Sequence, residues 1–213
     1  LLDTVSGLDF KAGQYLEVIS GTKRFPFSIA SAPAQSPILE LHVRPTPDSA
    51  DSDEFKALLD EAKELTIAAP KGDCIVEEAP DKPLVMLAAS TGVTQMKSII
   101  EHLLEKSLPH PTYLYWGVVS DQDLYMGDLC HEWHERDPNF HYIPVVSDPN
   151  SSPNWTGRTG LVGEAALEDF EDLNLNVIVG GSPGMVYGTL DMFLARGFEE
   201  ANMQSDVFSY APR

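Results

Sequence analysis

The chain has 213 residues, enough for one large domain or two small ones. Hydrophobic residues make up 43% and charged ones 22%, the proportions of an ordinary globular protein, and no apolar run approaches the roughly 18 residues of a membrane helix. With 14 Lys+Arg against 33 Asp+Glu, the net charge of −19 repels nucleic acid and anionic membranes, which excludes both as expected partners.

The acidity is read as a solvated surface, with a basic protein partner as the minority alternative. Leu1-Leu2-Asp3-Thr4 has neither a basic nor an apolar leader region, so no signal peptide is expected there. Cys74 and Cys130 are the two cysteines, too few for a disulfide framework or a four-cysteine cluster, and a reducing cytoplasm is expected.

In chain order, the first stretch reads as short strands broken by turns. Gln14–Ile19 alternates, Gly21-Thr22-Lys23 turns, and Phe27–Ala30 forms the next strand. Pro33–Pro37 connects to Ile38–Val43, which has apolar residues at alternate positions. The polar loop 45–53 follows, then a short helix over 54–59 capped by Ser52 or Asp53, and a strand over Glu64–Ala68. Close-set strands with one small helix predict a small antiparallel β-barrel. The acidic, proline-containing segment Glu77–Pro83 marks a change of rhythm, so the expected domains are 1–78 and 79–213.

Beyond that boundary, strands and helices alternate. Strands are expected at Leu84–Ala88, Pro111–Val118, His141–Val146, Asn176–Val179 and Val207–Tyr210. Helices are expected at Gln95–Leu104, Leu124–Arg136, from Gly163, and at Gly184–Ala195. This is the pattern of a parallel sheet covered on both faces. Nothing repeats internally.

Two small-residue turns end predicted strands: Ala88-Ala89-Ser90-Thr91-Gly92 and Val179-Gly180-Gly181-Ser182-Pro183-Gly184-Met185. Small residues admit a ligand to the backbone, and a helix N-terminus stabilises phosphate. Either turn alone is also what an ordinary connection looks like. Both would face the carboxyl edge of one sheet, where open α/β sheets place ligands. In the first half, Arg24-Phe25-Pro26-Phe27-Ser28 sets a cation, aromatics and a hydroxyl close together, although a plain barrel strand reads the same way.

Asp9-Phe10-Lys11-Ala12-Gly13-Gln14-Tyr15 and Pro26-Phe27-Ser28-Ile29-Ala30-Ser31-Ala32-Pro33 resemble the flavin domain of the ferredoxin–NADP reductase superfamily. The likeness is greatest to the bacterial NAD(P)H:flavin oxidoreductases, including those that supply flavin to luciferase. It continues through Tyr115-Trp116-Gly117, Asp123-Leu124-Tyr125, Pro144-Val145-Val146, Trp155–Gly160 and Asp206–Tyr210. It implies a six-stranded flavin barrel, its first strand expected upstream of Leu1, followed by a nicotinamide-binding α/β domain.

The resemblance further implies hydride transfer from NADH or NADPH to a flavin (FAD or FMN). Ser28 would be the catalytic residue, hydrogen-bonding near flavin N5. Phe27 would line the flavin ring or its ribityl chain, and Thr91 and Gly92 would bind the diphosphate and nicotinamide side. Gly180, Gly181 and Ser182 would line the nicotinamide pocket, with Phe208 or Tyr210 shielding the ring, and Arg24, Pro26, His42, Val43, Trp116, Gly117 and Met185 are further cofactor-binding candidates. The alternatives are an FAD-bound reductase component serving a ferredoxin or oxygenase partner, and a non-catalytic nucleotide-binding module.

Three positions depart from the family pattern. Phe25 occupies the motif's arginine position; Arg24, one residue earlier, faces the other side of a regular strand and cannot substitute without a bulge, which favours flavin as a dissociable substrate. Ala89-Ser90 stands where relatives often carry two glycines. Val119 stands where relatives often carry an arginine for an adenosine 2′-phosphate, which favours NADH. No catalytic triad is expected, since hydride transfer needs mainly apposition of two rings. Cys130-His131 with His134 lacks a fourth ligand and reads as helix surface. Cys74 reads as a small buried hydrophobe, and Trp155–Gly160 as a structural turn.

Overall fold

A computed structural model describes residues 1–4 and 7–213. Its first half contains β1 (Leu2–Asp3), β2 (Tyr15–Ser20), β3 (Lys23–Ser28), β4 (Ile38–Leu39), α1 (Ala50–Glu61) and β5 (Thr66–Lys71). All pairing here is antiparallel, in a three-stranded sheet of order β3-β2-β5 and a separate β1-β4 pair. Alternation along β2 sends Leu16 and Val18 into a core shared with Phe10, Ile29, Leu39 and Phe55. Phe55 closes that core from α1, its ring 5.0 Å from Phe25 and 4.7 Å from Phe27.

Three local expectations in this half need correcting. The strand expected over 38–43 is paired as a ladder only at Ile38–Leu39; beyond it the Glu40 carbonyl still accepts from the Ala30 amide at 2.8 Å, while the Glu40 and His42 side chains join a polar network. The cap of α1 is Ser49, whose hydroxyl accepts from the Ser52 amide, so Ser52 lies inside the helix. The last strand begins at Thr66, two residues later than expected.

The second half contains β6 (Leu84–Ala89), α2 (Val93–Leu103), β7 (Thr112–Val118), α3 (Gly127–Arg136), β8 (Phe140–Val146) and β9 (Arg158–Thr159). It continues through α4 (Val162–Asp169), β10 (Asn176–Gly180), α5 (Pro183–Ala195), β11 (Met203–Gln204) and α6 (Val207–Tyr210). The six strands form a parallel sheet of order β11-β10-β6-β7-β8-β9. Leu84, Met86 and Ala88 face one core with α2 and α3, while Val85 and Leu87 face another with α4 and α5. Burial on both faces is why β6 reads as a continuous apolar run.

The tail is the clearest reversal. Val207–Tyr210 is a short helix, and the sheet's last strand is Met203–Gln204, too brief to show alternation. Helix α3 starts at Gly127 because Asp121–Asp123 forms its own tight turn first. Helix α2 is buried on nearly its whole circumference. Its apolar face meets the sheet, and its polar side meets the antiparallel half through Gln95, Lys97 and Ser98.

Candidate active site

The carboxyl edge of the parallel sheet faces the antiparallel half across a cavity of about 750 Å³. One wall is built from Tyr15 and Glu17 on β2, Pro26, Phe27 and Ser28 on β3, and His42 and Arg44 beyond β4. The other consists of the Ala89–Gly92 turn with Thr94 and Gln95, the Val179–Ser182 turn, and Ser205, Asp206, Val207 and Tyr210. Register explains the first wall. Tyr15 pairs with Ser28 and Glu17 with Pro26, so all four point to one face of the sheet. The opposite face carries Phe25 and Phe27 onto Phe55, and Phe27 is wide enough to reach the cavity as well.

Ser28, Pro26, Phe27, His42, Thr91, Gly92, Gly180, Gly181, Ser182 and Tyr210 therefore share one groove. Val43 lines a neighbouring cavity of about 420 Å³, which shares His42, Arg44, Ser90 and Thr91 with the first. Five nominated residues line neither cavity. Trp116 is fully buried beneath the first turn, and its indole N–H donates to the Ser90 carbonyl at 2.9 Å, a supporting position. Gly117 gives way to α4, since a Cβ there would meet Val162 at 2.6 Å. Met185 and Phe208 pack against the core behind the second turn. Arg24 ion-pairs with Glu17. Arg24 and Phe25 do fall on opposite faces of β3, and the face Arg24 shares with Pro26 and Ser28 is the one turned to the cavity.

The Ser90 backbone is left-handed at φ 51°, a conformation that favours glycine. It is held on both sides, since its hydroxyl accepts from Arg44 Nη1 at 2.7 Å while its carbonyl takes the Trp116 bond. A serine thus fills a glycine's role in the turn. Arg44 is the single lysine or arginine among the described residues lining either cavity.

Two polar networks border the groove. Gln95 Nε2 donates to the Gly13 carbonyl at 2.7 Å and to Asp206 Oδ2 at 2.9 Å. Burial pushes the Asp206 carboxyl up to about 6, although the Cys74 amide and Gln95 partly offset it. In the second network His42 bridges Glu40 and the Tyr125 hydroxyl, both at 2.6 Å, and Glu40 reaches Lys97 at 3.0 Å. His42 and Lys97 together hold the Glu40 carboxyl down at about 2. Both cysteines are buried free thiols pushed up to about 12 by burial, so neither is a nucleophile. Among the described residues no group of His, Cys, Asp or Glu is arranged to hold a metal.

Arg44, Gln95 and Asp206 were not nominated from sequence. Asp206 lay inside a recognised segment, but a lone carboxylate in a tail gives no sign of burial. Arg44 and Gln95 gave no periodic signal.

An antiparallel half and a parallel α/β half that share one cleft define a ferredoxin reductase-like fold. Residues 86–191 match the family model described as the oxidoreductase NAD-binding domain. The chain is 36% identical over 218 residues to the NAD(P)H-flavin reductase of Vibrio harveyi, covering 99% of this chain and 91% of that one. It belongs to the NAD(P)H-flavin reductase family. It is also 36% identical over 208 residues to the CDP-6-deoxy-L-threo-D-glycero-4-hexulose-3-dehydrase reductase of Yersinia pestis, covering 97% of this chain and 62% of that relative. Among solved structures it resembles the Amycolatopsis cytochrome P450 reductase GcoB, with TM-score 0.83 and 27% identity, covering 95% of this chain and 62% of that one. The chain thus spans under two thirds of these last two. No helix among the described residues is long and apolar enough to cross a membrane.

Proposed function

We propose that the protein transfers a hydride from NADH to a flavin that binds as a dissociable substrate, with the chain divided into a flavin domain at 1–78 and a nicotinamide domain at 79–213. The observation that carries this reading is that Ser28 and the Thr91–Gly92 turn open onto the same groove. A volume of about 750 Å³ suits two stacked planar rings. The nicotinamide supplies a hydride and the flavin N5 accepts it.

Ser28 orients the ring edge by hydrogen bonding, and Tyr15 offers an aromatic face beside it. The Thr91–Gly92 turn holds diphosphate at the start of α2, with Arg44 as the nearby cation. Gly180, Gly181 and Ser182 admit the nicotinamide close to the backbone, and Tyr210, 60% exposed, covers the ring. NADH is favoured over NADPH because exposed Val119 precedes Ser120 and Asp121, while Arg158 is engaged by Glu168 and Asp169. A cytoplasmic location is supported by the two free thiols.

The test is NADH oxidation by the purified protein with added riboflavin, FMN or FAD, together with its visible spectrum. A colourless protein that turns over added flavin supports the reading. A yellow protein reducing a partner instead supports an FAD-bound reductase component, the alternative favoured by the likeness to a cytochrome P450 reductase. Folded protein with no turnover above background leaves a nucleotide-binding module.

A further inference from the structure

One carboxylate of the flavin-side wall, Glu17, and the two cations that flank it have no part in this hydride transfer. Glu17 lines the cavity, and its Oε2 accepts from Lys71 Nζ at 2.9 Å and from Arg24 Nη1 at 3.0 Å. The three residues sit on neighbouring strands β2, β5 and β3 and carry a local charge of +1 in a chain of net −19. Lys71, then Arg24, holds the Glu17 carboxyl below the usual carboxylate range. Glu17 is 17% exposed, whereas Lys71 and Arg24 are 37% and 55% exposed, so the carboxylate is tucked beneath two cations with donors to spare.

Arg24 shares its strand face with Pro26 and Ser28, four residues from the serine or roughly 13 Å along the strand. Phe25, at the motif's arginine position, packs its ring 5.0 Å from Phe55 and offers no donor. A flavin with its ring edge at Ser28 can run its ribityl chain along this face toward the two cations.

We propose that Arg24 and Lys71, held in register by Glu17, bind the terminal phosphate of a flavin nucleotide and make the protein discriminate FMN from riboflavin. This rests on the reading that flavin occupies the Ser28 side of the groove. A phosphomonoester carries about −1.5 to −2 charge at neutral pH and accepts from both cations at once, which riboflavin cannot. Glu17 tempers the site: it pre-orients the cations but opposes the incoming anion.

The experiment is a flavin-fluorescence titration of the full chain with riboflavin and with FMN, at low and high salt, alongside NADH turnover. The variants are Arg24→Met/Lys71→Met, which keeps the apolar stems, and Glu17→Gln. Wild type is expected to bind FMN about tenfold more tightly than riboflavin, an advantage that shrinks with salt. The double variant should lower the ratio of the two affinities about tenfold, and Glu17→Gln should raise it. Equal wild-type affinities, or a ratio the double variant leaves unmoved, overturn the proposal. If the ratio behaves as expected but NADH is not oxidised with either flavin, the phosphate site stands and the hydride-transfer reading falls. If turnover is present and the ratio does not move, the reverse holds.

Discussion

Gly92, in the turn after β6, and Gly180, the last residue of β10, lie backbone against backbone. A Cβ added to Gly180 would stand 2.7 Å from the Gly92 carbonyl oxygen, and one added to Gly92 would collide with the Gly180 carbonyl. The two turns that line the groove are therefore also each other's packing partner. The glycines answer to that contact as well as to any ligand.

Substituting Gly180→Ala should destabilise the fold by about 2 kcal/mol, since backbone on both sides must move. Gly188→Ala is the control. Gly188 lies in α5 with nothing within 4 Å of its Cβ direction, so alanine there should stabilise by about 0.5–1 kcal/mol. Denaturant unfolding checks both. Similar effects at the two positions would show that the contact between the turns carries no energy.

Asp206 should make stability fall as pH rises through the mildly acid range. Its folded value of about 6 lies above the ordinary 3.8, so the native state holds the proton more tightly than the unfolded chain between about pH 4 and pH 6. Above that window the native carboxylate is charged and desolvated, and the cost is complete. The difference in melting temperature between Asp206→Asn and wild type should therefore shift in the variant's favour as pH goes from about 4 to about 7. A constant difference, or a shift the other way, refutes the assignment.

Glu40 acts in the opposite sense. Its folded value of about 2 lies below 4.5, so its contribution is present above the ordinary value and is lost as pH falls toward 2. Lys97, 5% exposed, sits between Glu40 at 3.0 Å and Glu101 at 2.8 Å. Lys97→Met should cost about 3 kcal/mol at neutral pH, by leaving two carboxylates without their shared cation. The loss should shrink in acid as Glu40 protonates. Urea melts across pH measure this, and a pH-independent loss would mean that Lys97 contributes packing alone.

The residues by themselves determined a good deal. Short continuous apolar runs such as Leu84–Ala88, alternating with helical segments, read as strands covered on both faces, and small residues after two of them pointed to the ligand edge. Alternation at Gln14–Ile19 announced an antiparallel strand, because a period of two has no other use in a half-buried segment. Elements were lost where local pattern was too short or was overruled by distant partners. Met203–Gln204 joins the sheet through its neighbour β10, and 40–43 lies outside the ladder, its Glu40 and His42 side chains bonded to Lys97 and Tyr125.

Only the tertiary structure decided which polar groups face the groove. Nothing in the helical pattern of α2 assigns a partner to Gln95, Lys97 and Ser98, which form the seam with the antiparallel half. Arg44 and Asp206 acquire their chemistry from neighbours remote in sequence. Periodicity reports how much of each side chain is buried along one element, whereas charge pairing and desolvation depend on which elements meet.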